Sequence, residues 1–431
     1  MVRFCDSDTS SYCNDYLGFK PQINRLFVED AKTPVYLFQL LFKKKLKSVQ
    51  QVFAVLPYRQ RNKNLSRRRD IFVVRRYVLC GDFMNFAIYE EKFRKEALKL
   101  GKSSEYVNSC LDYARILARK GIPVIYDQEH FSKLVGIKLE VLLSISNCPR
   151  PFYRYFTIPK NNGKVRKIAE PLPALKEVQH FILKNVLEKV PCSTYAKAYR
   201  AKISLKSNAK FHRNQAVLVK MDLQDYFPNL HASRVYQLFH NEFGYSESVS
   251  MLLTGLCTLN EGLPQGAPTS PYLSNLLTVD LDEAIANFCK DNGKLRYTRY
   301  ADDISISGTM DPKRVICGVS RIISDYKLKV NKEKTVVVRQ HDRQIVTGIV
   351  VNQKLQAPKS YRKNIRLEMH YCMKYGVDNH IQRRSKELPK PISRTSYLQS
   401  LLGRVNYCLQ INRKDLEMQT YKEYLLQEFH K

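Results

Sequence analysis

Arg299-Tyr300-Ala301-Asp302-Asp303-Ile304-Ser305-Ile306-Ser307 is the stretch on which the reading of the fold turns. Apolar and polar residues alternate from position 295 to position 307, which predicts a strand, a tight turn and a returning strand with Ala301-Asp302-Asp303 at the centre. Two adjacent acids in an otherwise apolar hairpin repel, and each raises the pKa of the other unless a cation neutralises them. Taken alone, the pair reads equally well as a solvated surface turn.

Upstream, residues 216–222 read as a buried strand that ends on Asp222. A single acid at a strand end is usually a turn or cap residue. Asp222 with Asp302 and Asp303, however, supplies what two-metal phosphoryl transfer requires. Carboxylates from neighbouring strands would hold two ions about 3.5–4 Å apart, one activating the attacking hydroxyl and one stabilising the leaving oxygen. Magnesium prefers oxygen ligands and keeps its waters, so these few acids suffice once a triphosphate adds its own oxygens. Between the two acidic elements lies Gly262-Leu263-Pro264-Gln265-Gly266-Ala267-Pro268-Thr269-Ser270-Pro271, a rigid loop opening into a helix. Its glycines are expected to let the backbone approach a substrate, although a plain loop capped by Ser270 would look the same.

Further out, residues 153–170 alternate around Asn161-Asn162-Gly163, a hairpin signal that gathers Lys160, Lys164, Arg166 and Lys167 on one basic ribbon. Helical periodicity is expected over 121–147, 174–190, 231–243 and 270–287, and beyond residue 358 in a three-helix terminal lobe. This order predicts an α+β fold, with helices packed on one face of an antiparallel sheet. Residues 1–120 read as a separate unit, with an apolar stretch at 35–42, basic residues over 43–76 and a helical pattern over 83–119. Its runs Lys43-Lys44-Lys45 and Arg67-Arg68-Arg69 suit either RNA binding or a solvated face.

The chain has 431 residues, enough for a multi-lobed enzyme, and its 44% hydrophobic content argues against wholesale disorder. Lysine and arginine number 72 against 40 acids, a net charge of +32 spread along the sequence, so a polyanionic partner is expected and its affinity should fall steeply with salt. The 11 cysteines show no C-x-x-C spacing, which disfavours a zinc site or a full disulfide framework and fits reduced thiols in the cytoplasm. No apolar leader and no run of about 18 apolar residues occurs, so no membrane partner is expected.

The acidic strand, the Leu-Pro-Gln-Gly loop and Tyr-Ala-Asp-Asp, in this order and spacing, resemble motifs A, B and C of reverse transcriptases, and the resemblance runs from about residue 121 to the C-terminus. It implies a right-hand polymerase fold: fingers and palm over 121–357, a helical thumb over 358–431, and an N-terminal extension over 1–120 with an RNA-binding or assembly role. It makes Asp222, Asp302 and Asp303 the catalytic, metal-binding acids, with two magnesium ions as cofactor and manganese as a substitute. Phe227 matches the aromatic gate that crowds a ribose 2′-hydroxyl. Gln265 and Gly266 match the loop touching the incoming nucleotide, Lys164 and Arg166 the fingers residues that hold its triphosphate, and Lys334 the proton donor to pyrophosphate. Basic thumb residues such as Arg362, Lys363, Arg366 and Arg404 are expected to follow the duplex backbone.

Two shorter signatures resemble the retron-type enzymes of bacteria. Asn208-Ala209-Lys210-Phe211-His212 fits an N-A-x-x-H segment and Val346-Thr347-Gly348 a V-T-G triplet, so Asn208, His212, Val346, Thr347 and Gly348 are expected to serve RNA binding. For His212 the plainer reading is a buried or capping histidine. The subgroup implies an RNA-directed DNA polymerase that copies a noncoding RNA serving as template and primer, takes dNTPs, makes a DNA product, and acts in antiphage defence with a separate effector protein. Related defence-associated reverse transcriptases with N-terminal extensions offer another subclass, making repetitive or untemplated DNA and working as homo-oligomers or with protein priming, for which the 27 tyrosines offer hydroxyls. A non-catalytic RNA-binding protein is the alternative from another class, and three intact acids argue against it.

Overall fold

A computed structural model describes residues 86–159, 163, 165–385 and 392–429. The expectations for 35–42 and 43–76, and for Lys160 and Lys164, fall outside the described residues. The described residues form two compact units: 86–149 with Lys184–Val190 and Tyr236–Leu256, and those from Arg150 to Leu183 with Pro191–Val235 and those from Cys257 onward.

The first unit is helical where described. Ser103 caps the helix Ser104–Arg119 and Asp127 caps Gln128–Val135, each side chain accepting a hydrogen bond from a first-turn backbone N–H. Gly136, at φ 72, ends the second of these. Phe93 and Ala97 of the helix Phe86–Lys99 bury against Val107 and Leu111 of Ser104–Arg119. At Gly255 an added Cβ would lie 2.1 Å from the Ser146 hydroxyl, so glycine is what lets the two chain segments meet there.

The second unit carries a four-stranded antiparallel sheet and a separate hairpin. Strands β1 (Tyr153–Pro159) and β2 (Val165–Pro171) pair as that hairpin. The sheet is built from β3 (Val217–Leu223), β4 (Arg296–Tyr300), β5 (Asp303–Gly308) and β6 (Val330–Arg339), in the order β4-β5-β3-β6. Strand alternation divides its side chains into two sets. Tyr297, Arg299, Ile304, Ile306, Val219 and Met221 share one face, against which the helices Val279–Asp291 and Pro312–Asp325 pack. Thr298, Ser305 and Ser307 share the other, with Asp303 and Asp222 at its end. These three hydroxyl residues are all buried, because the short helix Leu205–Phe211 packs over that face and leads into His212.

Among the described residues beyond 358 there are four helices where the sequence suggests three: Lys359–Tyr375, Val377–Ser385, Arg394–Ile411 and Leu416–Phe429. Gly376 separates the first two of these. Their buried residues, among them Ile365, Met369, Leu401 and Val405, join Ala209, Leu218, Val346 and Ile349 in one apolar cluster. Three of the arginines expected along a duplex are instead tied to acids of this lobe: Arg404 to Glu368, Arg366 to Glu417, and Arg362 to Asp415 at 2.9 Å. Lys363 remains exposed. Among the described residues no helix is long and apolar enough to cross a membrane.

The most demanding element is an ion pair. Arg299 and Asp282 are both 0% exposed. Arg299 Nε and Nη2 each donate to an Asp282 carboxylate oxygen at 2.7 Å, and Nη1 donates to the Tyr226 hydroxyl at 2.8 Å and the Ala301 carbonyl at 3.1 Å. Tyr297 donates to the same carboxylate at 2.6 Å. Arg299→Met is expected to lower the unfolding free energy in urea by about 3–5 kcal/mol, because Asp282 is left charged and buried, and Arg299→Met with Asp282→Leu should recover most of that loss. A loss under about 1 kcal/mol in the single variant would show the pair to be dispensable.

Candidate active site

Asp222 is the penultimate residue of β3 and is registered directly opposite Asp303, the first residue of β5. Asp302 stands in the β4–β5 turn, where Ala301 adopts φ 57. The Asp302 carbonyl accepts from Leu223 N at 3.0 Å, which ties the turn to the end of β3. One carboxylate oxygen from each of Asp222, Asp302 and Asp303 lies within 4.8 Å of the others. Asp222 is buried, Asp302 half-buried and Asp303 exposed, so the cluster opens toward solvent on one side. An all-oxygen donor set at this spacing fits a hard divalent cation that keeps some of its waters.

Electrostatics agree with that chemistry. Burial pushes the Asp302 carboxyl above the ordinary carboxylate range; the Asp222 charge adds to this, while Lys334 and Arg166 oppose it. Burial followed by the Asp302 charge does the same to Asp303. Lys334 Nζ donates to both Asp222 oxygens, at 2.8 and 2.9 Å, and that hydrogen bonding raises the lysine above its usual value. Its reach has a local cause. Between the pairs Asp222–Asn331 and Lys220–Val336, β3 holds a single residue, Met221, whereas β6 holds four, residues 332–335. The resulting bulge throws Lys334 out of the ladder and toward the acids. Lys334 thus lies within β6.

The other expected residues divide by position. Phe227 is half-buried five residues beyond Asp222, and its carbonyl accepts from Leu263 N at 3.1 Å, linking the acidic strand to the glycine-proline loop. Arg166 is exposed on β2, close enough for its charge to be felt at Asp302. The Gln265 carbonyl accepts from Ala169 N at 2.8 Å. At Gly266 φ is 130 and an added Cβ would lie 2.6 Å from the Ala169 carbonyl oxygen. The close approach that this glycine permits is therefore to β2, where the sequence suggested a substrate.

Three of the five residues expected to bind RNA need correction. Asn208, His212 and Val346 are at most 1% exposed and face protein, not solvent. His212 bridges the polar face of the sheet, Nδ1 to the Ser307 hydroxyl at 2.8 Å and Nε2 to the Thr298 hydroxyl at 2.7 Å. Burial drives its pKa down to about 3. Thr347 and Gly348 form the two-residue turn between β7 (Ile345–Val346) and β8 (Ile349–Val350), at φ 46 and φ 80. A β-branched residue is rare in that backbone region. Asn208 Nδ2 donates to the Thr347 hydroxyl at 3.5 Å and helps hold it there. Thr347 is half-buried and Gly348 exposed, so of the five only these reach the surface.

Sequence reasoning passed over Tyr199, which carries no motif or periodicity and yet stands beside Phe227 and in the field of Asp302. It also passed over Asp282 and Tyr226 as partners of Arg299, because neither spacing nor composition links them.

A family model described as reverse transcriptase (RNA-dependent DNA polymerase) matches residues 158–362, which contain every element of this site. The chain is 32% identical over 289 residues to the retron Ec86 reverse transcriptase of Escherichia coli, an alignment covering 65% of this chain and 88% of that one. This chain belongs to the retron reverse transcriptases. This retron reverse transcriptase is also 34% identical over 278 residues to the retron Mx65 enzyme of Myxococcus xanthus, covering 59% of its own length and 65% of that protein. With the retron Se72 enzyme of Salmonella heidelberg it shares 31% identity over 277 residues, 62% of this chain and 72% of that one. It is therefore an RNA-directed DNA polymerase with the right-hand polymerase fold.

The buried imidazole gives a pH test. His212 is neutral when folded and titrates near its ordinary 6.5 when unfolded, so its contribution to stability is full above about pH 6.5 and is lost as pH falls toward about 3. His212→Gln is expected to flatten the stability of the retron reverse transcriptase over that interval, read by urea unfolding at a series of pH values. An unchanged slope would remove His212 from the acid response.

Proposed function

We propose that the retron reverse transcriptase copies a partner noncoding RNA into DNA at Asp222, Asp302 and Asp303, with two magnesium ions as cofactor. One observation carries the reading: three carboxylates, from the end of β3 and from the adjoining β4–β5 hairpin, present oxygens within 4.8 Å of one another in a protein of net charge +32. Magnesium bound there supplies positive charge to the attacking 3′-hydroxyl and to the leaving pyrophosphate oxygen.

The chain's own residues divide the remaining work. Arg166, with Lys164 beside it in sequence, holds the triphosphate, and the backbone at Gln265 and Gly266 positions the incoming base. Phe227 crowds the sugar edge, so a deoxyribonucleotide fits and a ribonucleotide does not. Lys334, kept charged by its acidic neighbours, delivers a proton to pyrophosphate. Thr347 and Gly348 meet RNA at the junction with the thumb, while Asn208, His212 and Val346 shape that junction from within. The same reading makes the RNA both template and primer and places the enzyme in bacterial antiphage defence, as the retron resemblance implies.

Asp302→Ala with Asp303→Ala is expected to reduce magnesium-dependent DNA synthesis by at least roughly a thousandfold, several kcal/mol of transition-state stabilisation at 1.36 kcal/mol per tenfold, while RNA affinity changes little. Residual synthesis near the wild-type rate would refute the assignment. Sequencing the nucleic acid that co-purifies with the full chain tests the RNA: one defined RNA joined to a short DNA is expected, and a repetitive or untemplated product would count against it.

A further inference from the structure

Residues 195–199 follow no regular element, yet they are stitched to the palm at several points. Lys197 N donates to the Arg299 carbonyl at 2.8 Å, and Arg299 N donates to the Tyr195 carbonyl at 3.0 Å. The Asn275 side chain donates to the Ala198 carbonyl at 2.9 Å, and Ala196 and Ala198 are fully buried. The backbone is thus fixed up to the residue before Tyr199.

Tyr199 then takes φ 59, a left-handed conformation in which a bulky side chain is uncommon. Such strain persists only where the surroundings over-determine it, and it gathers at places that hold ligands. What the strain achieves here is visible in where the ring stands. Its centroid is 6.4 Å from that of Phe227, the planes are tilted by 51°, and the residue keeps 42% of its surface exposed. A tyrosine needed only for core packing would bury its ring. The phenol lies on the side of the acids: partial burial and the Asp302 charge push its pKa up to about 12, while Arg166 opposes. Tyr199 therefore stands among the gate residue, the acidic cluster and the arginine of the hairpin.

We propose that Tyr199 is a specificity-determining residue, a second aromatic wall beside Phe227 that closes the sugar pocket against a ribose 2′-hydroxyl. One ring on a half-buried side chain has rotameric freedom to yield to a hydroxyl-sized group. A second ring, set on a backbone that three hydrogen bonds hold, restrains the first and takes up the space into which it would turn. The inference rests on the reading of Phe227 given above.

Single-nucleotide incorporation by the full chain on a primed RNA template tests it, with kcat and KM measured for a dNTP and for the matching rNTP. Tyr199→Asn removes the ring while keeping a residue type that tolerates left-handed backbone. It is expected to reduce discrimination against the rNTP by roughly tenfold, mainly through a lower KM for the rNTP, the scale on which a pocket senses a small group. Tyr199→Phe keeps the wall and should retain discrimination within about twofold. A merely structural role would instead lower both nucleotides' kcat together. Unchanged discrimination in Tyr199→Asn, or an equal loss in Tyr199→Phe, overturns the proposal. Phe227→Ala run in parallel separates the two readings: if it relaxes discrimination and Tyr199→Asn does not, only the second wall falls, and if it changes nothing, the gate itself falls and Tyr199 with it.

Discussion

A guanidinium with no access to water governs the architecture of the palm. Arg299 gives two hydrogen bonds to Asp282, one to Tyr226 and one to the carbonyl of Ala301. Removing both charges from water costs several kcal/mol per ion, and only near-ideal geometry with full hydrogen bonding offsets it. The return on that cost is positional. Asp282 belongs to the helix behind the sheet, Tyr226 to the turn after β3, and Ala301 to the turn that presents Asp302. One side chain therefore ties the turn after β3 to the β4–β5 turn, from the face of the sheet opposite to the acids.

The sheet in this way has two different interiors. One is apolar apart from the ion pair, and the other is a seam of hydroxyls closed by His212. A neutral imidazole between Ser307 and Thr298 satisfies two buried hydroxyls at once, which an apolar residue of the same size would leave unpaired. The cluster that begins on the same helix, at Ala209, continues through Val346 and Ile349 into the terminal helices. The segment that resembles a retron signature is thus a structural joint between sheet and thumb, and it supports the Thr347-Gly348 turn.

Much of this was legible in the sequence, for identifiable reasons. Strand alternation around Asp302 and Asp303 is a short-range signal, and so is the hairpin at 153–170; both elements formed where the pattern placed them. The meeting of Asp222 with the adjacent pair followed from motif order, since two strands ending on acids and lying side by side have few other arrangements. Long-range pairing was not legible. Nothing local ties Arg299 to Asp282, Arg404 to Glu368 or Arg362 to Asp415, and a basic residue reads the same whether it faces phosphate or a carboxylate of its own lobe. The bulge that aims Lys334 depends on a mismatch in strand length, which is a property of two segments about a hundred residues apart. Tyr199 lies outside any periodic element, and its importance is a matter of neighbours alone.

The strap between the glycine-proline loop and the basic hairpin bears on how the enzyme handles a substrate. Ala169 of β2 is bonded to the carbonyl of Gln265, and Gly266 lies too close to the same strand for any larger residue. Hairpin and loop are consequently one mechanical part. A displacement of β2 is therefore transmitted to the loop at Gln265 and Gly266, without an intervening hinge. Under the roles proposed above, selection of the base and grip on the phosphates would then become a single event.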